Sequence, residues 1–137
     1  MRTIRFFLPA ALYYGMIYFL SDQSQIPIPS VFPLQDKILH FVIYLGFGLC
    51  LLYGLARIDR LGGLRLRLAA LVVLGVVAAG LDEFHQAFVP GRTADIADAA
   101  ADVLGILAGW LIVRRLLHCP AGRRWFAAES ESPPRLP

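Results

Sequence analysis

The sequence predicts an all-α fold: a polytopic membrane protein of four transmembrane helices, with the N- and C-termini both cytoplasmic. Three observations carry this expectation. The chain of 137 residues is 58% hydrophobic and only 17% charged, with a mean hydropathy of +0.62, which leaves too little polar surface for a soluble domain. The charges collect at a few points and leave four long apolar runs empty. The basic residues and the acids then sort to opposite ends of those runs. The sequence pI of 9.2 does not point to nucleic acid, because the surplus arginines flank apolar segments, where they set topology.

The first run is Phe6 to Leu20, with Pro9 in its opening turns, where a helix tolerates proline best. Arg2 and Arg5 ahead of it would suit a signal peptide, but "YFLSDQS" offers no small-x-small cleavage site, so a retained helix is expected. The loop "SDQSQIPIPSVFPLQDK", residues 21–37, carries three prolines and is expected to run extended over the outer surface. The second run is Ile38 to Leu55, the third about Leu66 to Leu81, and the fourth Ile96 to Val113. A helix of ~18 residues spans roughly 27 Å, close to the hydrocarbon thickness of a bilayer. Residues 1–118 therefore form one transmembrane domain, and residues 119–137, polar and proline-bearing, are expected to be a disordered cytoplasmic tail. Cys50 reads as apolar filler and Cys119 as a tail thiol, with no disulfide framework and no metal-ligand neighbours.

Orientation follows from the basic residues. Arg2 and Arg5 precede the first run, Arg57, Arg60, Arg65 and Arg67 separate the second from the third, and Arg114, Arg115, Arg123, Arg124 and Arg135 follow the fourth. These are 11 of the 13 basic residues, and they belong on the cytoplasmic side. Only Lys37 and Arg92 fall on the other side, in the company of Asp22, Asp36, Asp82, Glu83, Asp95, Asp98 and Asp102.

Helical spacing groups these polar residues. Positions three and four apart share a face. In the second segment Asp36, Lys37, His40 and Tyr44 lie within about a 100° arc. In the third, Gly75, Ala79, Asp82 and Gln86 fall on one line. In the fourth, Asp95, Asp98, Asp102, Gly105 and Gly109 share a stripe, with Gly105 and Gly109 forming a small-xxx-small pair that lets backbones approach closely. A carboxylate facing lipid costs ~3 kcal/mol even on the lower insertion scales. The three polar stripes are therefore expected to turn toward each other at the outward end, with Lys37, His40, His85 and Arg92 as partners for the acids. Glu83 and His85 point away from the line of Asp82 and Gln86, and alone they read as residues that end a span.

In order along the chain, "DKILHFVIYLGFG", "DEFHQAFVPGRTADIAD" and "DVLGILAGWL" resemble the motifs of the VanZ-like membrane proteins. That pattern is D-K-x-x-H with a following Tyr, D-E-x-x-Q, P-G-R with a downstream Asp, and N-x-x-G-x-x-x-G. The resemblance covers roughly residues 20 to 113. It implies a multi-pass protein of the bacterial cytoplasmic membrane, linked to the cell envelope and to glycopeptide (teicoplanin) resistance. Carried over by position, it implies functional roles for Asp36, Lys37, His40, Tyr44, Asp82, Glu83, Gln86, Arg92, Asp98 and Gly105. The departure is Asp102, where the family usually has Asn; a protonated Asp102 would mimic the amide's donor–acceptor pair.

The reading that these residues support first is a binding or envelope-remodelling protein. Its outward cleft, built from the ten binding candidates (the resembling positions other than Gly105, together with Asp102), would take the headgroup of an envelope lipid or lipid-linked precursor, with Lys37, His40 and Arg92 suited to a phosphate. One alternative is a membrane enzyme acting on a lipid phosphate, with His40, Asp82 and Glu83 as catalytic candidates: His40 as acid or base, the Asp–Glu pair on a divalent ion, Arg92 stabilising charge. Against it stand the lack of an activated nucleophile and of an H-E-x-x-H signature. The other alternative is a proton or ion path through His40 and Asp102, which the apolar inner halves of the segments disfavour. No cofactor is expected, and outside the enzyme alternative no metal is assigned. The expected partners are the bilayer and an envelope precursor. The stripe of Gly105 and Gly109 fits packing within one chain or between two.

Overall fold

The structure is a computed structural model that describes residues 4–24, 31–58 and 63–119. A 3-10 turn, Ile4–Phe7, leads into α1 (Leu8–Ser21), followed by α2 (Gln35–Ala56), α3 (Leu64–Gln86) and α4 (Ile96–His118). No strand occurs among the described residues. With its leading turn, α1 makes a span of 18 residues, and α2, α3 and α4 make spans of 22, 23 and 23. All four are long and apolar enough to cross a membrane. Pro9 falls in the first turn of α1, where its missing N–H has no intrahelical acceptor to lose.

α2 outruns its apolar segment by three residues at its start, and two further helices outrun theirs by more. α3 continues through "DEFHQ" to Gln86, and α4 continues to His118. The polar end of α3 stays helical because Asp82, Glu83 and Gln86 are buried inside the bundle with partners there. Residues 120–137, expected to be a disordered tail, lie outside the described residues, as do Pro27 and Pro29 of the proline-rich loop.

Consecutive helices run antiparallel, so α2 and α4 are parallel neighbours, and theirs is the most extensive pairing. Small residues set its distance. A Cβ at Gly105 would overlap the Phe41 carbonyl oxygen and lie 2.9 Å from the Leu45 nitrogen, and one at Gly48 would lie 2.9 Å from Ile106 Cα. Gly109 faces the Leu45 carbonyl, and Gly75 of α3 makes room for the Ile106 side chain. Ala79 is buried beside them. The small-residue stripe thus works within this chain, bringing backbones into van der Waals contact where lipid supplies no hydrophobic drive between helices.

The core below the polar end is dry: Phe47, Leu51, Leu55, Leu71, Ala78 and Ile106 are all buried. α1 lies against this core through Ala10, Ile17 and Ser21, and the Tyr14 hydroxyl donates to the Ala78 carbonyl at 3.0 Å. The outward faces are apolar as well. Leu12, Phe19, Val73, Phe84 and Leu104 are each more than half exposed, a surface suited to acyl chains.

At one end of the bundle Arg5 and Arg57 both lie over the Phe6 ring, at 4.9 and 5.2 Å. That end also holds the start of α3, with Arg65 and Arg67, and the end of α4, with Arg114 and Arg115. Lys37 and Arg92 are at the opposite end.

Close approach of α2 and α4 makes a paired prediction. Gly105→Ala should lower thermal stability in detergent by about 1–3 kcal/mol, the usual cost of overpacking. Gly80→Ala, with nothing within 4 Å of its Cβ, should be neutral or stabilising, since alanine favours the helix by up to about 1 kcal/mol. Thermal unfolding of the two variants beside the parent checks this.

Candidate functional site

The start of α2, the ends of α1 and α3, and the start of α4 meet at the end of the bundle remote from the arginines. Ser21, Asp82, Glu83, Gln86, Asp98 and Asp102 are the buried polar residues among those described, and all six belong to this end.

The outer tier is organised by Lys37. Its ammonium donates to Asp95 and Asp98, each at 2.8 Å, and to Asp36 at 3.2 Å. Asp95 caps α4: its carboxylate accepts the Ala97 N–H at 2.8 Å, and its own N–H donates to Glu83 Oε2 at 2.7 Å. One lysine therefore ties α2 to the N-terminus of α4, and Glu83 ties α3 to the same point.

The inner tier is more enclosed. His40 Nδ1 lies 2.9 Å from Asp102 Oδ1, and the Asp102 side chain is wholly buried. With the carboxylate ionised, Nδ1 carries the shared proton. Asp82 Oδ1 accepts from the Ser21 hydroxyl at 2.5 Å, and its Oδ2 accepts from the Gln86 amide at 3.1 Å. Among the described residues, three buried side-chain oxygens have no hydrogen-bond partner: Asp102 Oδ2, Glu83 Oε1 and the Tyr44 hydroxyl. His40, Asp82, Glu83 and Asp102 each offer one ligand-type atom, and these four atoms all lie within 4.8 Å of one another.

A cavity of about 660 Å³ opens beside this cluster. Ile17, Leu20, Leu39 and Ile43 give it an apolar wall, and Ser21, His40, Tyr44, Asp82, Gln86 and Arg92 give it a polar one. Phe32 and Leu34 line it from the loop before α2. The Pro-Gly-Arg motif positions Arg92. Pro90 and Gly91 form a tight turn closed by the Arg92 N–H on the Val89 carbonyl at 3.1 Å, with Gly91 at φ 83°, a conformation glycine adopts without strain. The Arg92 guanidinium then donates to the carbonyls of Gln23 at 3.2 Å and Leu20 at 3.4 Å.

All ten binding candidates lie at this end, but three, Glu83, Lys37 and Arg92, differ in part from the roles expected of them. Glu83, read as pointing away, is buried and belongs to the inner cluster. α3 has neighbours on adjacent sides, so Asp82 meets Ser21 of α1 while Glu83, 100° round the helix, meets the cap of α4. Lys37, read both as a partner for the acids and as a phosphate donor, is occupied by three carboxylates, as the first reading has it. Arg92, read as a partner for the acids, holds backbone carbonyls, and no carboxylate pairs with it among the described residues. His85 stands apart, stacked on Tyr18 and 3.3 Å from Asp22. Asp36 lies at the mouth with its carboxylate largely exposed. Sequence reasoning missed Ser21, which holds Asp82; the signal was its helical spacing from Ala10, Tyr14 and Ile17, the buried line of α1.

Fold and site together define a multi-pass membrane protein with one polar site sheltered at one end of a four-helix bundle. The VanZ/LLP1 family matches residues 4–118, and the chain belongs to that family. The match takes in α1 as well, beyond the motifs that first carried the resemblance. Neither the curated proteins nor the solved structures include a significant match.

The outer tier is sensitive to acid. The Lys37 ammonium, and after it the Ala97 N–H, hold the Asp95 carboxyl below its ordinary range. A carboxylate depressed in the folded state stabilises fully above its unfolded pKa, here above about pH 5, and loses that contribution as pH falls through the lowered value. Asp95→Asn should therefore flatten the acid limb of a stability–pH profile. Lys37→Met, which strands the buried Asp98, should lower the melting temperature at neutral pH. Melting temperatures across pH 3–7 test both.

Proposed function

We propose that this VanZ-type protein binds the anionic headgroup of an envelope lipid, or of a lipid-linked envelope precursor, from the extracytoplasmic side of a bacterial cytoplasmic membrane. The observation that carries the reading is Arg92. It is a cavity-lining guanidinium held, among the described residues, by backbone carbonyls alone, so its charge is positioned without a carboxylate among them to neutralise it. Guanidinium groups suit phosphate oxygens in this setting.

The cavity is amphipathic, with an apolar wall for the first methylenes of an acyl or prenyl chain and a polar wall for the headgroup. The charge distribution supports this side of the membrane: an arginine-rich end favours the cytoplasm, and the cavity is at the other end. The buried polar residues stop at this end and the core beneath is apolar, an arrangement suited to a one-sided binding site and poorly suited to a through path. A role in glycopeptide (teicoplanin) resistance fits a protein that holds an envelope precursor at the outer surface.

In a deletion strain, expression of the parent chain should restore the envelope-lipid profile and teicoplanin tolerance. His40→Ala and Arg92→Ala should fail to restore them at equal membrane abundance, and Arg92→Ala should lose at least about tenfold in affinity for anionic lipid in purified form, the equivalent of one charge-assisted contact. Full complementation by both variants, with undiminished lipid binding, would refute the reading.

A further inference from the structure

We infer that His40, Asp82, Glu83 and Asp102 form a binding site for a single first-row divalent cation, of the Mn²⁺ or Zn²⁺ type, at the floor of the cavity. The four residues come from three helices and place one ligand-type atom each within 4.8 Å of the other three. Ligands on opposite sides of such an ion sit about 4.2 Å apart and adjacent ones about 3 Å apart. The cluster is therefore a small contraction away from ligation, and the 2.9 Å between His40 Nδ1 and Asp102 Oδ1 already has the spacing of neighbours on one ion.

Two further observations point to a ligand. The first is the pair of open oxygens. Glu83 and Asp102 are each more than nine-tenths buried, and Glu83 Oε1 and Asp102 Oδ2 have no hydrogen-bond partner. Their sister oxygens are held, Glu83 Oε2 by the Asp95 N–H and Asp102 Oδ1 by His40. Asp82 is held through both oxygens, Oδ1 by Ser21 and Oδ2 by Gln86. Carboxylates fixed through one oxygen with the other left open, as Glu83 and Asp102 are, are arranged as metal ligands are.

The second is charge. Among the described residues no lysine or arginine pairs with Asp82, Glu83 or Asp102; Lys37 is spent on the outer tier. Three carboxylates in an apolar bundle need a counter-charge, and a divalent ion supplies one at their centre. The donor set of three carboxylates and one imidazole suits Mn²⁺, Fe²⁺ or Zn²⁺, whereas the nitrogen argues against Ca²⁺ and Mg²⁺. His40 and Asp82 line the cavity, so the ion would be reached from it. The ion's presence is independent of the headgroup reading; only its use as an acceptor for a phosphate rests on that reading.

The test needs no lipid ligand. The full chain, purified in detergent and stripped with chelator, is titrated with MnCl₂ and with ZnCl₂ by calorimetry, and metal content is measured after dialysis. The expected result is one ion per chain at micromolar affinity or better. D102N and E83Q should each weaken binding by at least about tenfold, while D22N, exposed after α1 and outside the cavity lining, should match the parent. No retained ion in the parent chain overturns the site, whatever the variants do. Binding that survives unchanged in both D102N and E83Q overturns it as well, because the ion is then held elsewhere. Should E83Q not fold, the near-isosteric D102N and the parent stoichiometry still decide.

Discussion

A carboxylate cannot lie against acyl chains without losing its hydration, and this constraint organises the whole molecule. Asp82, Glu83, Asp98 and Asp102 sit on helices otherwise apolar enough to span a bilayer. Their burial requires the helices to close round them. The Gly48, Gly105 and Gly109 contacts let α2 and α4 come together closely enough to do so, and α1 completes the enclosure by bringing Ser21 to Asp82. The packing of the apolar core and the position of the polar site are two consequences of one requirement.

The site that results has two tiers with different electrostatics. In the outer one, a single lysine compensates three carboxylates near the N-terminus of α4, where the helix dipole also favours negative charge. This tier is structural, and it holds α2, α3 and α4 in register. In the inner tier the acids have a histidine, a serine and an amide for company but no permanent cation among the described residues. Asp82 of the inner acids, His40 and the anchored Arg92 line one cavity. The two ligands proposed above, a cation among the acids and an anion on the guanidinium, would each supply the charge that this arrangement lacks among the described residues.

Much of this was legible in the sequence. Four spans, their alternating direction and the gathering of polar groups at one end follow from apolar run length and from where arginine falls. His40, Asp82 and Asp102 were legible because spacing of three and four residues fixes a helix face. Glu83 was not, because a single stripe assumes a single neighbour, and α3 has α1 and α4 on adjacent sides. Arg92 was placed correctly but its partners were not, since they are backbone carbonyls in α1 and the segment after it, invisible to a search for complementary charge. Lys37 was legible as a cation in the site. Its full occupancy by acids depends on the distance between α2 and α4, which only the packing of Gly105 reveals.

The central claim is that ionisable side chains from separate helices meet inside the bundle, and the contact between His40 on α2 and Asp102 on α4 is its most direct expression. A double-mutant cycle on this pair measures it: His40→Ala, Asp102→Ala and the double variant, unfolded thermally in chelator-treated detergent solution. Side chains in contact predict a coupling of about 0.5–3 kcal/mol. Additive effects, with no coupling beyond about 0.3 kcal/mol, would mean that the two do not meet, and would contradict the convergence on which the site is built.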